Sequence, residues 1–317
     1  MKIAIVKLSA LGDIVHAMVV LQYIKEHISN CVIDWFIEER FAGVLENNPH
    51  IDNIYRLKLK NSRFGFFKEY KKLKRLKPYD LIIDLQGLIK SAIVSRILSA
   101  NVFGFDKYSL REPLAAKFYK KSFAIDYKTN VILRNITLAC RTLEFKVPNL
   151  HTKEAFLYSN SKLEFKPMLL VFVGSSWQSK IYPKERFVEV INGLHVKTYI
   201  AWGDESEKES ARFISAKTEA KMLPKLSLDE LKDVISNSSL VIGGDSGPTH
   251  MAWALNTPSI TIFGPTPSQR NSLLTNINLT IDCKKNIDAN NLNRDDFCIR
   301  DIEAKKIIAL AKRLLGC

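Results

Sequence analysis

Short runs of aliphatic and β-branched residues alternate along this chain with longer stretches whose apolar positions recur every three or four residues. That alternation is the signature of βαβ units building a parallel sheet. In the first half the runs predict strands at 3–7, 32–37, 54–57, 81–84 and 102–105, with helices at 14–27, 41–47, 67–76 and 89–98. Lys77-Pro78 ends the third helix, because a residue preceding proline disfavours helical geometry. The alternation restarts in the second half, with strands at 169–173, 198–201, 240–243 and 259–263 and helices at 185–194, 206–216, 228–236 and 249–255. The polar stretch Asn160-Ser161-Lys162 is the linker candidate. An amphipathic helix is expected at 302–315, with Ile302, Ile307, Ile308, Leu310, Ala311, Leu314 and Leu315 on its apolar stripe. The predicted fold class is α/β, with two Rossmann-like doubly wound domains facing each other and ligands held in the cleft, beyond the carboxyl ends of the strands.

Length agrees with this division, since 317 residues exceed what one hydrophobic core usually fills. No window approaches the length of uninterrupted apolar sequence that a membrane-spanning helix needs. The opening Met1-Lys2-Ile3-Ala4-Ile5-Val6-Lys7 lacks a small-residue cleavage site and reads as a first strand, so a cytoplasmic location is expected. Five cysteines are scattered without a CxxC pair, an odd number that predicts free thiols rather than a disulfide framework or a structural zinc.

Charge says more about partners. The formal net charge of +14 points to a polyanionic partner: nucleic acid, an anionic membrane or a phosphorylated substrate. A solvated basic surface without a specific partner has the same composition. Part of the excess is concentrated between Arg56 and Lys77, where ten basic residues face a lone acid, Glu69, and aromatic residues are interleaved with them. Such a segment resembles a basic amphipathic helix suited to an anionic membrane surface.

Candidate chemistry lies at the strand-to-helix turns. Lys7-Leu8-Ser9-Ala10-Leu11-Gly12-Asp13 lacks the GxGxxG pattern of a dehydrogenase dinucleotide site. On spacing alone Asp13 reads as a helix cap, and as a general base in the sharper reading. Gly243-Gly244-Asp245-Ser246-Gly247-Pro248-Thr249-His250 takes a strand through a glycine-rich turn into a helix opened by proline. The unpaired N–H groups there suit a diphosphate, with His250 in reach of it and Asp245 able to accept sugar hydroxyls. Gly174-Ser175-Ser176 followed by Lys180 suits phosphate contacts as well, although a plain surface loop looks similar. Trp202-Gly203-Asp204-Glu205-Ser206-Glu207 offers acids for ribose hydroxyls or for capping the next helix, and capping is the preferred reading on spacing. Asp84–Ser91 puts Gln86 and Lys90 at a further junction, and Arg111 reads as an ion pair with Glu112 or as a contact for an acidic substrate.

Taken together, Lys7–Asp13, Asp34-Trp35-Phe36-Ile37-Glu38-Glu39, the 84–91 segment, Arg111-Glu112-Pro113, Trp202-Gly203, Leu223-Pro224-Lys225, the 244–250 segment and Phe263-Gly264-Pro265-Thr266 resemble heptosyltransferase I, of glycosyltransferase family 9. They recur in that family's order over nearly the whole chain. The resemblance implies a GT-B fold and inverting transfer of L-glycero-D-manno-heptose from ADP-heptose to a Kdo residue of Kdo-lipid A. It also implies Asp13 as catalytic base, replacing the cap preference. Ser175, Ser176 and Lys180 become diphosphate contacts, Glu207 the ribose contact and Asp245 a heptose contact. Ser246, Gly247 and His250 form the loop beneath the diphosphate, and Leu226 stands where a methionine can pack on adenine. On the acceptor side the resemblance implies Ser9, Gln86 and Arg111, with Lys58, Lys60 and Arg63 in the basic stretch. Serines at 175, 176 and 246 replace threonines frequent in the family and keep the hydroxyl, whereas Lys60-Asn61-Ser62 replaces a denser arginine pair.

The expected organisation is an acceptor domain at 1–158, a donor domain at 159–300 and a final helix at 301–317 packing back on the first domain. No cofactor and no essential metal are expected, because no DxD-like acidic pair occurs in a metal-binding context. A monomer working at the inner face of the cytoplasmic membrane is anticipated. The nearest rival is a heptosyltransferase II-type enzyme acting on an already heptosylated core. A basic nucleic-acid-binding protein is a rival of another class, disfavoured because no recognised nucleic-acid motif accompanies the 56–77 run. A non-catalytic membrane adaptor is the third.

Overall fold

The computed structural model describes residues 1–59, 63–76 and 78–316, and the side chains of all of these except 63–68. Its first unit, Met1–Phe156, contains β1 (Lys2–Val6), α1 (Leu11–Met18), α2 (Val20–His27), β2 (Val32–Glu38), β3 (Asn53–Leu57), α3 (Arg63–Lys74), β4 (Leu81–Asp84), α4 (Ile89–Leu98), β5 (Val102–Phe105), β6 (Lys121–Phe123) and α5 (Val131–Leu143). The strands pair in parallel in the order β3-β2-β1-β4-β5-β6. Helices cover both faces of such a sheet, so the central strands are near-continuous apolar runs. Ile3, Ala4, Ile5 and Val6 are all fully buried, in register with Ile33, Asp34, Trp35 and Phe36 on β2.

The second unit, Leu157–Cys317, contains β7 (Leu169–Phe172), α6 (Lys184–Leu194), β8 (Thr198–Ala201), α7 (Glu205–Ser215), β9 (Lys221–Met222), α8 (Leu228–Ser236), β10 (Leu240–Gly244), α9 (Gly247–Ala254), β11 (Ser259–Phe263), α10 (Ser268–Asn271), β12 (Asn278–Asp282) and α11 (Ala304–Leu315). Its sheet order, β12-β11-β10-β7-β8-β9, repeats the topology of the first. Each sheet reverses its winding once, between β1 and β4 in the first and between β7 and β10 in the second. Those reversals are where doubly wound sheets open a crevice for ligands.

Several expectations change. The helix expected over 14–27 is two helices, α1 and α2, separated by Val19, which keeps right-handed helical angles. The 41–47 segment is a 3₁₀ turn, Glu39–Val44. Helix α5 was not anticipated. Asn130 caps it by accepting the Ile132 and Leu133 N–H groups, and the Arg134 guanidinium holds it by donating to the Ile125, Asp126 and Ser109 carbonyls. The final helix belongs to the second unit, not the first: α11 packs on α6, with Ile307 and Ala311 in one core with Val190, Ile191 and Leu194. The proposed linker residues also belong to the second unit. The Asn160 and Ser161 N–H groups donate to the Asp229 carboxylate, and the unit division falls between Phe156 and Leu157.

The free-thiol expectation is corrected as well. Cys283 and Cys298 are joined as a disulfide with Cα atoms 5.8 Å apart, whereas Cys31 and Cys140 are buried thiols. The pair follows no local spacing rule, because one partner trails β12 and the other opens the turn before α11. The basic helix α3 is anchored by Leu73, which is buried in the first unit's core beside Tyr79 and Leu98. No helix among the described residues is long and apolar enough to cross a membrane.

Candidate active site

In the first unit the β1–α1 and β4–α4 turns meet at the winding reversal. Asp13 sits in the first turn of α1, part-exposed, and its Oδ2 accepts the Ala10 N–H at a long 3.4 Å. The carboxylate therefore caps its helix only loosely. Ser9 is half-buried, and its N–H donates to Gln86 Oε1. Around them, buried Glu38 pairs with Arg40 at 3.3 Å and Lys90 at 3.5 Å, and exposed Lys58 pairs with Glu39 at 3.2 Å. Lys60 and the Arg63 side chain lie outside the described residues. Arg111 is exposed, and Glu112 does not serve as its partner: Glu112 Oε2 accepts the Ile89 N–H at 2.7 Å and caps α4.

In the second unit Lys180 and His250, two of the residues expected around a diphosphate, converge on one buried carboxylate. Asp245, at the end of β10, accepts from Lys180 Nζ at 2.8 Å and Thr266 Oγ1 at 2.7 Å on Oδ2, and meets His250 Nε2 at 2.8 Å on Oδ1. Burial acts to raise its pKa, but the Lys180 ammonium and the His250 hydrogen bond overcome burial and hold the carboxyl well below the ordinary carboxylate range. A carboxylate offers about four lone-pair positions, so Oδ1 keeps room for one further donor such as a sugar hydroxyl. Ser175 Oγ donates to the Asp245 carbonyl at 3.0 Å, which ties the β7 turn to the β10 turn, and Ser176 is exposed.

Helix α9 begins at Gly247 with proline in its first turn, and Ser246 precedes it in extended geometry with its hydroxyl 3.2 Å from Thr249 Oγ1. The N–H groups at the start of a helix and its positive end are the kind of geometry that suits an anion, and Lys180 stands beside this one. The acids after β8 divide their work. Asp204 caps α7, accepting the Glu207 N–H at 2.9 Å, while Glu207 Oε2 accepts the Gly203 N–H at 2.6 Å. Burial raises the Glu207 pKa against that hydrogen bond. Leu226 is half-buried immediately before Ser227, the N-cap of α8.

Gly174 explains how Glu207 fits. A Cβ at position 174 would overlap the Glu207 carboxyl. The overlapping atoms are the far end of a flexible, half-buried side chain, so Gly174→Ala is expected to turn the Glu207 carboxyl away from the Gly203 N–H and to cost about 0.5–1.5 kcal/mol, the worth of one hydrogen bond. Urea unfolding of Gly174→Ala, Glu207→Ala and the double variant checks this, since two changes that remove the same hydrogen bond should not add.

Sequence reasoning missed Thr266 as a member of the site. The signal was present in the Gly264-Pro265-Thr266 turn, which ends β11 next to β10. It also missed Trp177, whose ring centroid is 5.5 Å from Lys180 Nζ and 4.4 Å from the Arg294 guanidinium. Among the described residues, no group of three His, Cys, Asp or Glu side chains is placed to hold a metal ion.

The chain is similar to lipopolysaccharide heptosyltransferase 1 of Campylobacter coli, 42% identical over all of this chain and 99% of that protein. It is 29% identical to the protein of the same name from Pseudomonas aeruginosa, over 84% of this chain and 79% of the relative. Among solved structures, E. coli heptosyltransferase WaaC with ADP superposes with a TM-score of 0.84 at 24% identity, covering 99% of this chain and 100% of that one, a likeness of fold. The two repeated parallel sheets are thus those of a GT-B glycosyltransferase. The model of glycosyltransferase family 9 (heptosyltransferase) matches residues 67–296, and the chain belongs to that family.

Proposed function

We propose that this enzyme transfers L-glycero-D-manno-heptose from ADP-heptose to a Kdo residue of Kdo-lipid A, with inversion at the anomeric carbon. The observation that carries the donor half is the Lys180–Asp245–His250 group beside the opening of α9, a cation and helix end suited to a departing diphosphate. Full-length similarity to a lipopolysaccharide heptosyltransferase 1 supports the choice of sugar and acceptor.

In this reading Asp13 takes the proton of the acceptor hydroxyl as its oxygen attacks the anomeric carbon. The bond from that carbon to the ADP oxygen breaks on the opposite face. Lys180, Ser175, Ser176 and the first turn of α9 take up the charge on the leaving diphosphate. Glu207 accepts the ribose hydroxyls, Leu226 packs on adenine, and Asp245 accepts from the heptose while holding Lys180. Ser9, Lys58, Lys60, Arg63 and Arg111 meet the acceptor's phosphates and carboxylates. No metal is required, because the cation and the helix end do the neutralising. The acceptor is anchored in lipid, so the enzyme works at the inner face of the cytoplasmic membrane, to which the net charge of +14 and the 56–77 run attract it.

The test is incubation with ADP-heptose and purified Kdo-lipid A, followed by mass spectrometry. A gain of one heptose is expected. Transfer only to an already heptosylated core would overturn the acceptor assignment in favour of the second heptosyltransferase type.

A further inference from the structure

The β1–α1 turn that carries Asp13 is not held by its own residues alone. Gln86 Oε1 accepts two consecutive backbone N–H groups from it, Leu8 and Ser9, each at 3.1 Å. Gln86 is fixed in turn by a fully buried carboxylate. Asp84 Oδ1 accepts the Gln86 N–H at 2.9 Å and the Gly87 N–H at 3.1 Å. Asp84 Oδ2 accepts from Ser91 Oγ at 2.8 Å and Tyr119 Oη at 2.9 Å. Gly87 has φ +69°, a left-handed angle that lets both N–H groups turn onto one oxygen. The same two turns are tied again where Lys7 Nζ donates to the Leu85 carbonyl at 3.1 Å. Asp13 follows four residues after the clamped Ser9, and among the described residues its side chain meets that turn through the loose hydrogen bond to Ala10.

We propose that Gln86 is a positioning residue for Asp13. Its amide oxygen fixes the Leu8–Ser9 backbone and so sets where α1 begins and where the Asp13 carboxylate lies, and that is its role in place of the acceptor contact expected from sequence. The carbonyl is committed twice within the unit, and two hydrogen bonds at adjacent positions define both the place and the tilt of a turn, which one bond cannot do. This inference rests on the reading of Asp13 as the base. A displacement of about 1 Å in a reacting group costs on the order of 10²-fold in rate.

The experiment compares Gln86→Leu, Gln86→Glu and Asp13→Asn in the heptose-transfer assay, with kcat and both KM values measured and folding checked by thermal melting. Gln86→Leu removes the acceptor oxygen, and kcat should fall roughly 10- to 100-fold with both KM values unchanged. Gln86→Glu keeps an oxygen for the two N–H groups and should restore most of kcat. The double variant Asp13→Asn/Gln86→Leu should be no slower than Asp13→Asn, because a positioning residue has nothing left to position. An unchanged kcat in Gln86→Leu would overturn the proposal. So would a raised acceptor KM in both Gln86 variants with kcat kept, since both lack the amide donor that an acceptor contact would use. If Gln86→Leu does not fold, Gln86→Met takes its place, since it keeps the side chain's length, adds no charge and lacks the carbonyl, and the same outcomes decide. Full activity in Asp13→Asn would instead remove the base assignment, whatever Gln86 does.

Discussion

Replacing Asp13 by alanine is expected to lower kcat for heptose transfer roughly 10²- to 10⁴-fold, the range contributed by a positioned general base. ADP affinity should stay at the parent level, because every residue proposed to hold the nucleotide lies in the second unit. The measurement is steady-state transfer together with ADP titration by calorimetry. The structure sharpens the expectation in one respect. The carboxylate reaches back to Ala10 N–H at 3.4 Å, a weak cap, so losing it removes little helix stability. A cap of ordinary strength costs about 1 kcal/mol when replaced by alanine. A large loss of stability in Asp13→Ala with kcat preserved would return the residue to the capping role that spacing alone suggests.

Asp245→Ala should have the largest effect on stability. It leaves the Lys180 ammonium, whose side chain is 10% exposed, without its carboxylate, and breaking a buried pair from one side costs about 3–5 kcal/mol. Thermal melting with and without saturating ADP separates two contributions. The diphosphate brings its own negative charge to Lys180, so ADP should recover more stability in the variant than in the parent. An equal gain in both would mean that Lys180 does not meet the diphosphate. Acid gives a second check. The folded carboxyl sits below its usual value, so the pair's contribution is complete above the ordinary aspartate pKa, near 3.9. It is lost only as pH falls through the lower folded value, and the parent and Asp245→Ala stabilities should converge there, not at neutral pH.

The central strands were legible because a parallel strand covered on both faces must be apolar at successive positions, as β1, β4, β7 and β10 are. The strands that escaped, β6, β9 and β12, are all sheet edges. Lys121-Ser122-Phe123 and Lys221-Met222 carry little buried surface, and Asn278–Asp282 is only half-buried beyond its first residue, so none interrupts the polar background. The last helix showed its apolar stripe, but a stripe states that a face is covered and not by what, and α6 proved to be the cover. The glycine-rich turn at 243–250 could be read as a strand passing into a proline-opened helix because the residues that shape it are local in sequence. Asp84 could not be read as a hub, since its partner Tyr119 lies 35 residues away. Thr266 escaped for the same reason, reaching Asp245 from a different strand end.

The contact between Gly174 and Glu207 constrains the order in which this site can change over generations. A lineage can lose the acid first and then fill position 174, because a shorter residue at 207 opens the space. The reverse order passes through a chain in which a new methyl group has pushed the carboxyl from its place beside Gly203. Drift at position 174 is therefore conditional on history at position 207, an epistasis with a direction. Among descendants of this enzyme, a side chain at 174 should mark those that have already given up the acid.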